Sequence, residues 1–382
     1  MRVRRRATLW SLTLSVVLAV TVTVSAGVGP VRIPPATVLR VVANAVAIPA
    51  GVEFGTAGAG PLALPRLGVV YQSPFAFPVD DTHRRIVVLV RLPRILLAAL
   101  VGFALAAAGT VMQGFFRNPM ADPSIIGVSS GAAAGAVAFI VSPVALVGTL
   151  WIPGVGAVDV GLSHGAGVSL FAFAGALVAA FGVYAIATRR GRTPVATLLL
   201  AGVAVQTFLG AVISYLQLQA GESLRRIVAW LMGHLSGATW SEVLVVGLVV
   251  PPLFVVLLGY TRELNVMLLG ESEAQGLGVD VERTKRVLLA ASALVTAAGV
   301  AFAGIVGFVG LVVPHVLRPV VGADHRGLPP PAPLRGGAAL GARHPGAPPG
   351  APQPPRRGVL APYRTPPCRS HGGVDLPGPH CH

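Results

Sequence analysis

The stretch RLPRILLAALVGFALAAAGTVMQGFFRNPMADPSIIGVSSGAAAG, residues 91–135, decides the class of this chain. It reads as an apolar helix entered through a basic, proline-containing turn and left through a polar hairpin of Arg117, Asn118, Pro119, Asp122 and Pro123. A second helix then opens on Gly127-Val128-Ser129-Ser130-Gly131. A helix needs about 20 consecutive apolar residues to cross the hydrocarbon core, and residues 95–116 supply them, so this segment reads as a membrane span. Gly102, Gly109 and a series of alanines mark its interior. Lipid offers no hydrophobic driving force between helices, and small residues let two backbones approach. The span is expected to pack against protein.

Composition agrees. With 54% hydrophobic and 11% charged residues and a mean hydropathy of +0.75, the chain is far more apolar than a soluble domain, whose charged fraction is about 25%. A net charge of +15 would suit a nucleic-acid binder, but the basic residues are scattered at span ends. There is no basic helix with interleaved aromatics, which excludes that class. Lys285 is the only lysine in a chain of arginines, a bias that reads as GC-rich coding. Both cysteines, Cys368 and Cys381, lie near the end, so the membrane part has no disulfide and no thiolate metal site.

From the start, residues 1–6 form a basic head, and residues 7–28 an apolar run too long for a signal core. It reads as an uncleaved first span, with Val24-Ser25-Ala26 a weak cleavage site in the competing reading. Residues 29–94, rich in proline and glycine, read as an external loop with a short amphipathic helix at 36–47. Further spans are expected at 131–150, 168–187, 195–218, 243–260 and 287–303, with a short apolar segment at 305–321. A loop at 151–165 has no basic residue, whereas Arg189, Arg190 and Arg192 make a compact basic turn and residues 262–286 carry several more charges. The positive-inside pattern then puts the N-terminus, that turn and the 262–286 segment in the cytoplasm. The seven arginines of the long first loop stand against it, in a loop near the length where the rule weakens.

Catalytic signatures are missing. The sequence has no GxxxxGK[ST] loop, HExxH, GxSxG or Cys/His cluster, so it is read neither as an enzyme nor as holding a cofactor or metal. Between the first loop and the tail, the acids fall in loops or at span ends: Asp122, Asp159, Glu222, Glu242, Glu263, Glu271, Glu273, Asp280, Glu282 and Asp324. A proton- or sodium-coupled carrier usually buries an ionisable residue at mid-depth. Its absence argues for an external energy source. Residues 261–286, TRELNVMLLGESEAQGLGVDVERTKR, form the one long polar segment between spans. A short helix at 271–275, broken by Gly276 and Gly278, and a second from Val279 to Arg286 that runs into the span at 287–303, are expected to cross at right angles as a partner surface. A solvated connection with capping glycines is the plainer alternative.

Five blocks together carry a family resemblance: RLPR at 91–94, QGFFRNPMADP at 113–123, IIGVSSGAAAG at 125–135, LLGESEAQGLGVD at 268–280 and GIVGFVGLVVPHVLRPVVGADHR at 304–326. In this order they resemble the FecCD-type permeases of ABC importers for iron-siderophores, haem and cobalamin. The resemblance implies an all-α bundle of about ten spans per subunit, paired with a second permease copy as a homodimer or pseudo-dimer. It implies two ABC ATPase subunits on the cytoplasmic side and an external substrate-binding protein. The LGExxAxxLG pattern, here Leu269, Gly270, Glu271, Ala274, Leu277 and Gly278, would seat in the ATPase. Arg91 and Arg94 resemble the arginines that meet acids of the binding protein, a role a fixed guanidinium suits; snorkelling at the membrane interface is the alternative. Asn118 and Pro119 would lie near the cytoplasmic end of the pathway, or serve only as a turn. Ser129 and Ser130 would line the pathway or cap their helix. His234, Trp230 and His315 are read as structural.

After Arg326 the resemblance stops. Residues 327–382 hold no apolar run and 15 of the 33 prolines, a composition expected to be disordered and unable to cross a bilayer. The abrupt change reads as an out-of-frame continuation, which would leave a copy without its last two spans. Two functions therefore stand at this point: a permease, residues 1–326, or a copy without transport activity. A secondary carrier is a distant third.

Overall fold

The computed structural model describes residues 2–46, 48–57, 64–142, 147–152, 156–161 and 163–321. These belong to a unit covering Met1–Gly346; a second unit, Ala347–His382, and with it the tail assigned above, lies outside the described residues. The elements are α1 (Arg2–Gly27), α2 (Pro35–Ala45), β1 (Ile48–Ala57), β2 (Leu64–Gln72), α3 (Asp81–Arg85), a π-helical segment (Ile86–Arg91), α4 (Leu92–Phe115) and a 3-10 turn (Pro123–Ile126). There follow α5 (Val128–Val141), β3 (Val147–Ile152), β4 (Gly156–Gly161), α6 (His164–Ala187), α7 (Val195–Leu218) and α8 (Leu224–Leu231). The last are α9 (Trp240–Gly259), α10 (Thr261–Met267), α11 (Glu271–Gly276), α12 (Val281–Ala303) and α13 (Val309–Val321).

Two helices make the centre. The run Asp81–Phe115 is 78% buried over its most apolar window and α12 is 72% buried, whereas α7 and α9 are only 17% buried. The exposed residues of the outer helices are large and apolar, among them Val178, Leu200, Phe208 and Leu248. A soluble protein would not display such faces; a bilayer covers them without cost. The expected helical membrane bundle is therefore present, with two antiparallel β-hairpins added, β1 with β2 and β3 with β4. Among the described residues, five helices are long and apolar enough to cross a membrane, and Leu12–Gly27 and Val128–Val141 are shorter apolar helices.

Small residues set the closest approaches. A Cβ on Gly131 would lie 2.4 Å from the carbonyl oxygen of Gly175, and one on Gly135 would lie 2.1 Å from that of Phe171, so α5 and α6 touch backbone to backbone. The outer helix α7 is pinned where it meets the 3-10 turn: Gln206 Nε2 donates to the carbonyls of Ser124, at 3.2 Å, and Ile125, at 2.8 Å.

Two sequence expectations are corrected by the structure. RLPR is not a turn, because Pro93 sits in the first turn of α4 and the helix runs on unbroken from Asp81. A proline lacks the N–H for an α-helical bond and its ring crowds the carbonyl four residues back; the π-helical turn immediately before it, with Leu92 N–H bonded to the Val87 carbonyl, widens the helix there. The span placed at 131–150 is helical only to Val141, and 147–150 is strand. Ser142 precedes Pro143 and takes the extended conformation that a following proline favours, with φ −69° and ψ 135°. The helix expected from Val279, running into the span at 287–303, is present as the start of α12, capped by Asp280, whose carboxylate accepts the Arg283 N–H at 3.0 Å.

Candidate functional site

The residues of the LGExxAxxLG pattern divide by job once folded. Gly270 has φ 142°, and a Cβ there would strike Glu273 Oε2 at 1.8 Å. Gly278 has φ 84° and ends α11, where Val279 N–H bonds the Ala274 carbonyl at 3.0 Å. Glycine is needed at both for backbone reasons. Ala274 is fully buried and, with Met267 and Val281, forms a small core that holds α11 down. Leu269 and Leu277 do the opposite: they are 68% and 67% exposed. Two leucines held out on a frame fixed by glycines and a small core form a ready contact surface. Beside them a cleft of about 620 Å³ is lined by Arg262, Glu263, Leu277, Asp280 and Arg283.

Glu271 turns inward to Lys285, which is 1% exposed. The Lys285 ammonium donates to Glu271 Oε2 at 2.7 Å, to Glu282 Oε1 at 3.2 Å and to the Thr193 carbonyl at 3.0 Å. Thr193 N–H donates in turn to Glu282 Oε2 at 3.1 Å. The basic turn Arg189–Arg192, closed by paired backbone bonds, thus lies at the same end as the 261–286 segment. In the sequence, Lys285 stands out only by composition. The available signal was a lone lysine three residues after Glu282 and fourteen after Glu271.

The turn after α4 lies near this end too. The Glu273 carboxyl is held below the usual carboxylate range by its own backbone N–H and the Ser272 hydroxyl, with Arg117 adding attraction. Asn118 and Pro119 are exposed. The Asn118 side chain accepts the Met120 N–H at 2.9 Å, the local bond that makes asparagine a turn residue. Ser129 and Ser130 are half-buried, but the cap position of α5 is Gly127, in the left-handed region at φ 84°. Ser130 Oγ donates backward to the Gly127 carbonyl at 3.0 Å.

At the opposite end the Arg91 guanidinium donates to the carbonyls of Ala26 and Val31, clasping the end of α1 to the connection into α2. Arg94, one helical turn on, has a buried Nε with no partner among the described residues. The Trp240 indole donates to the Val88 carbonyl at 2.9 Å within the π-helical segment. A cavity of about 320 Å³ at this end is lined by His164, Arg226, Trp230, His234 and Glu242. Arg226 is steadied there by His164 Nε2 at 3.2 Å and Ser223 Oγ at 2.9 Å. Trp230 is buried, and His234 N–H bonds the Ala303 carbonyl at 3.0 Å, bracing the amphipathic α8 region against the end of α12. Arg91→Ala is expected to free the clasp and cost about 2 kcal/mol, since bonds from a charged donor contribute about 1.5–3 kcal/mol. The check is a lower melting temperature of the detergent-solubilised protein.

The sequence matches the FecCD transport family over residues 17–342. It is 51% identical over 341 residues, 88% of each chain, to the cobalamin import system permease protein BtuC of Halobacterium salinarum. It is 40% identical over 288 residues, 75% of this chain and 80% of the relative, to the hemin transport system permease protein HmuU of Yersinia pestis. A solved ABC transporter assigned to the metal-chelate type, in an inward-facing conformation, superposes with a TM-score of 0.65 at 28% identity and 87% coverage of both chains.

Proposed function

The chain belongs to the FecCD transport family and is a multi-pass ABC importer permease, and we propose that its cargo is cobalamin, delivered by a substrate-binding protein and moved by a separate ATPase. The choice of cargo rests on the relative at 51% identity, a cobalamin permease, against 40% for the hemin permease. Iron-siderophores and haem are the competing members of the same chelate class. In this reading the 261–286 segment is the ATPase seat, with Leu269 and Leu277 as the contacts, Gly270, Ala274 and Gly278 as the shape, and Glu271 as the anchor. The observation that carries it is the pair of exposed leucines on a rigid, glycine-bent frame.

The basic turn Arg189–Arg192 shares an end with that segment through Lys285 and Thr193, and the charge-poor connection around Trp151 leads to the other. This supports a cytoplasmic N-terminus and a cytoplasmic seat. Arg94 is our candidate for docking the external binding protein, because its buried Nε lacks a partner among the described residues. Arg91, the other docking candidate, has its guanidinium committed to two carbonyls. Asn118 and Pro119, beside the seat, and Ser129 and Ser130, at the start of α5, remain proposed pathway residues; a second copy of the permease completes the pathway.

Cells lacking their own chelate permeases, supplied with this chain and its cognate ATPase and binding protein, provide the test. Growth on cobalamin, but not on haem or a ferric siderophore as the sole source, is expected. Rescue by haem or siderophore alone would replace the cargo while keeping the importer.

A further inference from the structure

Lys285 is a buried cation where three elements meet. It is the only lysine in the chain, and it is fully enclosed at the start of α12. One of its acceptors is on α11, one on α12 itself and one on the turn between α6 and α7. An ammonium carries three N–H donors spread around one nitrogen, and three acceptors surround this one. A guanidinium, with a planar fork of five donors, has no comparable fit to acceptors converging on a single point. The remaining groups close the set: Glu282 uses its second oxygen on Thr193 N–H at 3.1 Å, and the Thr193 hydroxyl pairs with that of Thr188 at 3.0 Å.

The two salt-bridged carboxylates are less enclosed, with side chains 36% and 23% exposed against 1% for the lysine. Such an arrangement fixes position more than it adds stability, because removing a buried charge from water offsets much of its attraction. What it fixes is the angle between the exposed segment and a helix of the core. α12 is 72% buried and lies against α4, the most buried helix of the bundle.

We infer that Lys285 is a positioning residue, a strut that makes α11, the start of α12 and the α6–α7 turn move as one body, so that displacement of the 261–286 segment reaches the core helices. This rests on the ATPase seat proposed above. The strut stays closed through the cycle; a latch would open.

The experiment uses the assembled permease, ATPase and binding protein in lipid vesicles, with uptake and ATP hydrolysis measured together. Lys285→Met keeps the aliphatic stem and removes the donors. It is expected to leave ATP hydrolysis at least at its basal rate while uptake per ATP falls about tenfold, the scale on which single residues alter coupling between sites. Lys285→Arg is expected to restore little. Lys285→Met with Glu282→Gln should fall no further than Lys285→Met alone, since both break one link; this double variant, with less uncompensated charge, also serves if the single one does not assemble. A merely structural lysine would lower the melting temperature and leave the ratio unchanged.

A second readout needs no variant. Because the chain has one lysine, acylation by an amine-reactive ester, located by mass spectrometry, reports its exposure. Protection of Lys285 in both nucleotide-free and ATP-bound complexes is expected. Acylation on ATP binding, or uptake per ATP unchanged in Lys285→Met, would overturn the strut. A wild-type complex that takes up nothing counts against the proposed importer and leaves the acylation result to decide the strut.

Discussion

A valine at Gly109 will prevent the bundle from assembling. The Cβ alone would sit 1.8 Å from the carbonyl oxygen of Gly310, 2.6 Å from its carbon and 2.8 Å from its Cα. All three are backbone atoms, so no rotamer change relieves the clash; α13 must leave α4. The approach is mutual, since a Cβ on Gly310 would lie 2.9 Å from the Leu105 carbonyl and 2.9 Å from Pro123. Separation also breaks the bond from the buried Gln113 Nε2 to the Leu311 carbonyl, 2.9 Å. Overpacking a tight contact costs about 1–3 kcal/mol, and the lost bond adds about 1 kcal/mol, a large part of the roughly 5–15 kcal/mol that holds a domain folded. Gly109→Val is expected to yield little monodisperse protein in detergent. Gly182→Val, on α6 where a Cβ meets nothing within 4 Å, is expected to behave as wild type. Equal recovery of the two variants would refute the α4–α13 contact.

The second large effect is expected at the exposed leucines. Leu269 and Leu277 frame α11 and are about two-thirds exposed, 68% and 67%, while its inner face is anchored by Ala274. Replacing both with aspartate leaves the fold alone, because neither contributes to the core. It places two charges where the ATPase is proposed to bury apolar surface. Residues central to an interface cost about 2 kcal/mol or more each, so two, at about 4 kcal/mol together, reduce affinity by about a thousandfold. Leu269→Asp with Leu277→Asp should therefore keep the melting temperature and lose co-purification of the ATPase. Retained co-purification would move the seat elsewhere on the chain.

Much of this was legible in the sequence. The small residues of 95–116 announced a helix buried in protein, and α4 is that helix. The amphipathic 36–47 segment appears as Pro35–Ala45, and spans placed at 168–187 and 195–218 match α6 and α7 closely. Apolar runs failed where they carry no period. The run up to residue 150 continues hydrophobic through the end of α5 into β3, and periodicity does not separate a buried helix from a short strand. β1 and β2 lay inside a segment whose prolines and glycines read as loop. RLPR hid its helix because the π-helical turn that admits Pro93 has no sequence signature. At the candidate site, the motif named the residues of the 261–286 segment but not their division into shape, surface and anchor. Lys285 escaped for a geometric reason: one of its partners, Thr193, is 92 positions away, and only folding brings them together.

Whether this chain carries a chelate inward at the expense of ATP decides its function. Vesicles holding the permease with its ATPase, with ATP inside and labelled cobalamin and binding protein outside, test this directly. Label is expected to accumulate inside, accumulation to stop when a non-hydrolysable analogue replaces ATP, and omission of the binding protein to abolish it. Accumulation without ATP would make the chain a carrier of another kind, and an assembled complex that hydrolyses ATP but accumulates nothing would refute the importer.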